Sequence, residues 1–220
     1  FLDEEGIPIS KYNEDGSANL WDLNVKRYEN RDPRLRTTLF IPGMSWGTNS
    51  NYYGGAAASY STVYVMKYFN PALNWSSSWD AGQDFYVVRY AEVLLSLAEA
   101  YIEKGETQLD EAVSLINQVR NRAGMPSVED VEGRNLSQAD LREIVRHERR
   151  VELAFEGLRL FDLYRWKQLK EATERINNEA ATYNFWYEYR NFRGEQEYVW
   201  PIPQSELDCN PMLEQHALWK

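Results

Sequence analysis

Three carboxylates, Glu148, Glu152 and Glu156, recur at four-residue steps, a spacing that lines them along one face of a helix. Such a stripe can serve as a glycosidase acid pair, a di-metal cluster or a set of ion pairs. A glycosidase holds its two acids across a cleft from each other, not stacked on one helix. A di-metal helix bundle needs Glu-x-x-His steps, which the chain lacks. His147-Glu148-Arg149-Arg150-Val151 begins like a zinc-protease helix, but no second histidine follows one turn on, and the chain has only His147 and His216. His147 therefore reads as a helix-surface or ion-pair residue. Glu148, Arg149, Glu152, Glu156, Arg159, Asp162 and Arg165 read as a structural ion-pair network, with Arg120 and Arg122 of the preceding helix as further partners. If two of these are buried together, removing one partner costs about 3–5 kcal/mol.

No phosphate-cradling glycine loop occurs. Cys209, the single cysteine, follows Asp208 in a turn-like context with no histidine nearby. The expectation is a non-enzyme without cofactor or metal. Asp15, Asp22 and Asp80 are acidic loop residues of the kind that ligate calcium, but their spacing fits no calcium-loop motif.

The aromatic residues carry more. Eight Trp, fifteen Tyr and eight Phe stand in 220 residues. Residues 41–83 hold many of them beside only two charges, Lys67 and Asp80. Trp46 lies in Gly43-Met44-Ser45-Trp46-Gly47-Thr48-Asn49, Tyr52-Tyr53-Gly54-Gly55 follows, and Trp75 and Trp79 sit among serines. Sugar rings present C–H faces that stack on Trp and Tyr, while Asn, Ser and Thr reach their hydroxyls. Trp46, Tyr52, Tyr53, Trp75 and Trp79 are thus the candidate glycan contacts. The plain alternative is that the same rings pack the loops onto the helices.

The elements that must position these groups are mainly helical. Residues 1–84 form a loop-rich segment, with Arg36–Ile41 its best strand and a hairpin around Tyr60–Phe69. Residues 85–176 form a helical-hairpin core. Val87, Tyr90, Ala91, Leu94, Leu95, Ala98 and Tyr101 follow the 3.6-residue period up to Gly105. A second helix, capped by Thr107, carries Ala112, Val113, Ile116 and Val119 before Gly124 ends it, and so short a connection makes the pair antiparallel. After a polar loop, Pro126–Asn135, Ser137 and Asp140 have capping-box spacing and open a helix through Phe155. Gly157 interrupts it, and Arg159–Thr173 continues as a fourth helix. Residues 177–220 are irregular, with Tyr198–Trp200 a short strand stopped by Pro201 and Pro203. All three segments read as one domain. With net charge −10 and no basic stripe, a nucleic-acid partner is excluded. The longest apolar window, Val87–Ile102, is broken by Arg89, Glu92 and Glu99, so nothing there spans a bilayer.

Several of these residues fall in words of a known family. Arg89-Tyr90-Ala91-Glu92-Val93-Leu94-Leu95, Asn117-x-Val119-Arg120-x-Arg122-Ala123-Gly124 and Val199-Trp200-Pro201-Ile202-Pro203 resemble the signature of the SusD/RagB family. So do Arg31-Asp32-Pro33-Arg34-Leu35 and Glu148-Arg149-x-x-Glu152-Leu153-x-x-Glu156-Gly157-x-Arg159-x-x-Asp162-Leu163-x-Arg165-Trp166. The resemblance departs at Gln215-His216-Ala217-Leu218-Trp219. It implies a tetratricopeptide-like fold of antiparallel helix pairs with long aromatic-rich loops and a few short strands. It further implies a lipid-anchored protein of the outer-membrane surface of Bacteroidetes. Such a protein binds oligosaccharides without cleaving them and passes them to a TonB-dependent transporter of the SusC type. Members are about twice as long, so the chain is expected to be the C-terminal half, its anchoring cysteine outside it. A peptide-binding member, a helical-repeat scaffold for proteins and, more remotely, a glycoside hydrolase are the rival readings.

Overall fold

The computed structural model describes residues 31–41, 64–68, 84–183 and 189–220, and these are mainly α-helical. The chain divides into two compact units, Phe1–Leu158 and Arg159–Lys220.

The first unit is built on a helical hairpin, α2 (Tyr90–Lys104) and α3 (Leu109–Arg122). Gly105, at φ 112°, and a 3-10 turn at Glu106–Gln108 join them, a connection short enough to force antiparallel neighbours. Helix α5 (Gln138–Glu152) packs against both. Leu94, Leu95, Ala98 and Ile102 of α2, Ala112, Ile116 and Val119 of α3 and Leu141 and Val145 of α5 interlock around Val128. This is the antiparallel pairing that the periodicity and the short connection predict, and the tetratricopeptide-like arrangement that the resemblance implies. The capping box of α5 also forms. The Ser137 hydroxyl accepts from the Asp140 backbone N–H at 3.2 Å, and the Asp140 carboxylate accepts from the Ser137 N–H at 3.0 Å. The outer face of α2 stays uncovered, with Tyr90, Val93 and Leu97 exposed at one-turn and two-turn spacing.

Local expectations fail where a competing contact wins. Arg36–Ile41 is not one strand. A short helix, α1 (Arg34–Thr38), precedes a two-residue β1 (Leu39–Phe40), because the Asp32 carboxylate accepts from the Arg34 N–H at 2.9 Å and closes a turn there. The partner of β1 is β2 (Tyr64–Val65), antiparallel, with Leu39 opposite Val65 and Phe40 opposite Tyr64. Within the expected Tyr60–Phe69 hairpin, then, the described strand pairs with a distant segment. Thr107 does not cap α3; it lies inside the 3-10 turn, and Gln108 takes the cap position without a side-chain bond. Inside the expected loop 126–135 a one-turn helix forms, α4 (Val128–Val131). Ser127 caps it, and Asn117 holds it by accepting from the Val128 N–H at 2.8 Å. Helix α5 ends at Glu152 instead of Phe155, and Phe155 turns back at φ 64°.

In the second unit the expected helix Arg159–Thr173 is two helices, α6 (Arg159–Arg165) and α7 (Leu169–Tyr183). Lys167 separates them in the left-handed conformation, φ 56°. Its ammonium lies over the Tyr198 ring at 4.3 Å, and the Tyr198 hydroxyl accepts from the Leu169 N–H at 3.2 Å. Tyr198–Trp200 is not a strand. A 3-10 turn (Glu195–Tyr198) leads into extended Val199, whose carbonyl accepts from the Trp219 indole N–H at 2.7 Å. Pro201 and Pro203 have no N–H to give a ladder. A final short helix, α8 (Gln204–Cys209), follows, with Cys209 free and exposed.

Candidate functional site

The five candidate glycan contacts, Trp46, Tyr52, Tyr53, Trp75 and Trp79, lie outside the described residues. Among the described residues the densest polar chemistry is a buried charge cluster in the first unit, at the C-terminal half of α5.

The acids of α5 have long-range partners. Glu148 is fully buried between Arg34, which donates through Nη1, and Arg120, whose Nε lies 3.2 Å from its carboxylate. Glu152 receives Arg34 at 3.1 Å, Arg89 at 2.6 Å and Arg122 at 2.7 Å. Glu156 lies one turn beyond the end of α5, so the stripe of three is not one helical face. The backbone reversal at Phe155 accompanies its burial with Arg89 at 2.7 Å and Lys67 at 2.5 Å. Asp32 closes the cluster, holding Arg34 at 2.6 Å. Two cations also close the open end of α5. Lys67 donates to the carbonyls of Glu152 and Ala154 at 2.7 and 3.0 Å, and Arg89 donates to that of Glu152 at 2.6 Å. Arg149 faces elsewhere, 3.0 Å from the Ser96 hydroxyl and 3.8 Å from Glu99.

These contacts set the protonation states. Burial pushes the Glu152 carboxyl up, but Arg89, Arg122 and Arg34 outweigh it and hold the group below the ordinary glutamate value. Burial likewise opposes the Arg34 charge, yet Asp32 and Glu148 raise its pKa above the ordinary arginine value. Lys67 goes the other way: burial lowers it, against the pull of Glu156. The half-buried His147 ring is neither a plain surface group nor an ion-pair partner among the described residues. Burial first, then the charges of Arg150, Arg120 and Arg34, push its pKa down to about 4.

The other members of the expected network belong to the second unit. Asp162 pairs with Arg165 at 2.8 Å, one turn away on α6. Arg159 lies over the Trp166 ring at 5.7 Å, and Arg165 over the same ring at 4.8 Å.

The cluster opens on a cavity of about 250 Å³ lined by Arg34, Thr37, Thr38, Lys67, Tyr86, Arg89, Arg122 and Glu152. Acid spacing on α5 does not reveal Arg34, Lys67 or Arg89 as partners, since they come from segments 63 to 118 positions away. Arg34 and Arg89 are signalled only by the family words at Arg31–Leu35 and Arg89–Leu95, and Lys67 only as one of two charges in residues 41–83. Among the described residues no group of His, Cys, Asp and Glu could hold a metal ion, and no helix is long and apolar enough to cross a membrane.

Comparison with known proteins gives a consistent answer. The SusD family model matches residues 1–219. The chain is 34% identical over 154 residues to SusD-like protein P2 of Formosa agariphila, covering 68% of this chain and 29% of P2. It is 33% identical over 153 residues to SusD-like protein P25 of the same organism, covering 68% of this chain and 27% of P25. The matched stretch thus spans less than a third of the length of these curated relatives. The crystal structure of a SusD-like protein from Bacteroides fragilis shares the fold, with a TM-score of 0.72 and 23% identity over 99% of this chain and 44% of that one. Surface glycan-binding protein A from Bacteroides uniformis matches with a TM-score of 0.53 and 26% identity, over 87% of this chain and 40% of its own.

Proposed function

This chain belongs to the SusD family, and on that premise we propose that it binds oligosaccharides at the bacterial cell surface without cleaving them. In this reading the whole protein is lipid-anchored in the outer membrane and hands its ligand to a TonB-dependent transporter of the SusC type. The observation that carries the proposal is the family match over residues 1–219. A solved neighbour described as a surface glycan-binding protein supports it. Gly43-Met44-Ser45-Trp46-Gly47 has the Gly-x-Ser-x-Gly spacing of a nucleophile elbow, so release of cleaved sugar from a bound oligosaccharide would overturn the non-catalytic part.

The proposed stacking residues are Trp46, Tyr52, Tyr53, Trp75 and Trp79, in a stretch poor in charge and rich in Gly, Ser and Asn. Tryptophan-fluorescence titration against plant, host and starch oligosaccharides should give saturable quenching with one sugar class. The double variant Trp46→Ala, Trp79→Ala should abolish that response and leave the helical circular dichroism unchanged. Undiminished affinity in the double variant would remove the site assignment.

A second reading, a helical-repeat surface for a protein partner, is favoured by the exposed Tyr90, Val93 and Leu97 stripe on α2. A flat response to every sugar would shift the weight to it, or to a peptide ligand.

A further inference from the structure

The cavity over the charge cluster has an unbalanced wall. The ion-paired cluster joins five cations, Arg34, Lys67, Arg89, Arg120 and Arg122, to four carboxylates, Asp32, Glu148, Glu152 and Glu156, among the described residues, an excess of one positive charge. The carboxylates are withdrawn: only Glu152 reaches the cavity lining, against four of the cations. Arg34 and Lys67 have spent their donors on Asp32, Glu148, Glu152, Glu156 and the end of α5.

Arg122 is different. It reaches Glu152 through Nη2 alone. Its side chain is 59% exposed, and its Nε and Nη1 have no partner among the described residues. Tyr86, 39% exposed, lines the same space. A guanidinium edge with open donors, carrying the one positive charge that the cluster's four carboxylates leave over, suits a charge-assisted hydrogen bond to an anion. A net charge of −10 for the whole chain makes this local reversal of sign the more specific.

We propose that this cavity seats a monoanionic group, the carboxylate of a uronic-acid residue or a sulfate ester, carried by one sugar unit of the bound glycan. The identity of the ligand body rests on the glycan-binding reading above; the anionic group is read from the cavity. One excess charge matches one negative charge. The volume of about 250 Å³ falls below the roughly 300–1,000 Å³ of sites for drug-sized ligands, a size that suits one sugar unit.

The test is calorimetric titration of the chain at pH 7 with glucuronate, galacturonate, galactose 6-sulfate and uncharged galactose. At least one of the three acidic sugars should bind saturably and galactose should not; the tighter of carboxylate and sulfate names the source of the charge. Arg122→Gln should weaken acidic-sugar binding about tenfold or more, the worth of one hydrogen bond to a charged group. Tyr86→Phe, which removes only a hydroxyl, should weaken it less. Unfolding midpoints of both variants serve as the control for fold. Equal response to acidic and neutral sugars, no response to any acidic sugar, or unchanged affinity in Arg122→Gln would overturn the proposal. Tryptophan quenching by neutral oligosaccharides keeps the two readings apart. Quenching without acidic-sugar binding sinks the cavity and keeps the aromatic loops. Acidic-sugar binding with flat quenching does the reverse.

Discussion

In its N-terminal half α5 enters the core with Leu141 and Val145, whereas its C-terminal half buries Glu148, Arg149 and Glu152, with Val151 the one apolar side chain among them. Both halves are withdrawn from water, but by different physics. Apolar burial is non-directional and follows area, so a side chain of similar volume can replace Leu141 or Val145 at modest cost. A buried carboxylate is tolerable only while its partners stand at hydrogen-bond distance. The first half of the helix asks for shape; the second asks for named residues at named places. The charged half is thereby the more specific in what it accepts, at the expense of a desolvation cost that the apolar half does not carry.

Three measurements would break or sharpen this contrast. The largest effect is expected from Arg34→Met, which leaves Asp32, Glu148 and Glu152 short of one shared cation. Urea unfolding should show a loss of about 3–5 kcal/mol. A loss under ~1 kcal/mol would mean that Arg89, Arg120 and Arg122 suffice, and the two halves would then differ little.

The next lies between the halves, at His147. Its pKa in the folded protein is pushed from an ordinary 6.5 to about 4, so between those values the unfolded chain binds the extra proton. Stability is therefore full above pH 6.5 and falls as the pH drops toward 4, by about 2–3 kcal/mol. Glu152, held below the ordinary glutamate value of 4.5, adds its own loss at pH below that value. His147→Gln should flatten the slope between pH 6.5 and 4 and leave the steeper acid limb. An unchanged slope would place the titrating group elsewhere.

The smallest effect is expected at Arg142, on the solvent side of the apolar half. It pairs with Glu103 at 2.6 Å, with both side chains partly exposed. Arg142→Ala should cost less than ~1 kcal/mol by urea unfolding. A loss as large as that of Arg34→Met would show that exposure is not what separates the two regions.

The same divide separates what is legible in the sequence from what is not. Features encoded within a turn or two can be read: the period of α2 and α3, the stop at Gly124 and the Ser137–Asp140 box of α5. Ser127 and Asp130 carry the same cap spacing for α4, a signal present in the sequence but hidden inside a polar stretch. The break at Lys167 has no glycine or proline to announce it; contacts with Tyr198, some thirty positions on, accompany it. The cluster is legible by half. Glu148, Glu152 and Glu156 stand out by spacing, and Arg120 and Arg122 as their neighbours. Arg34, Lys67 and Arg89 do not, because a pairing across 63 to 118 residues leaves no periodicity in the chain. The aromatic candidates from Trp46 to Trp79 rest on composition, which can nominate a stacking surface but cannot aim a ring.

Lys67 also limits how the chain can be cut. Its ammonium is the cap of a helix 85 positions downstream, and Arg34 reaches its own acid across 114. A piece begun after residue 67 would keep all of α2 to α5 and their apolar core, and would look by element count like a complete helical module. It would also carry Glu148, Glu152 and Glu156 inward with only Arg89, Arg120 and Arg122 to meet them, and its α5 would end with the Ala154 carbonyl open. The helices mark out a module, but the ion pairs that complete it run from Asp32 to Glu156.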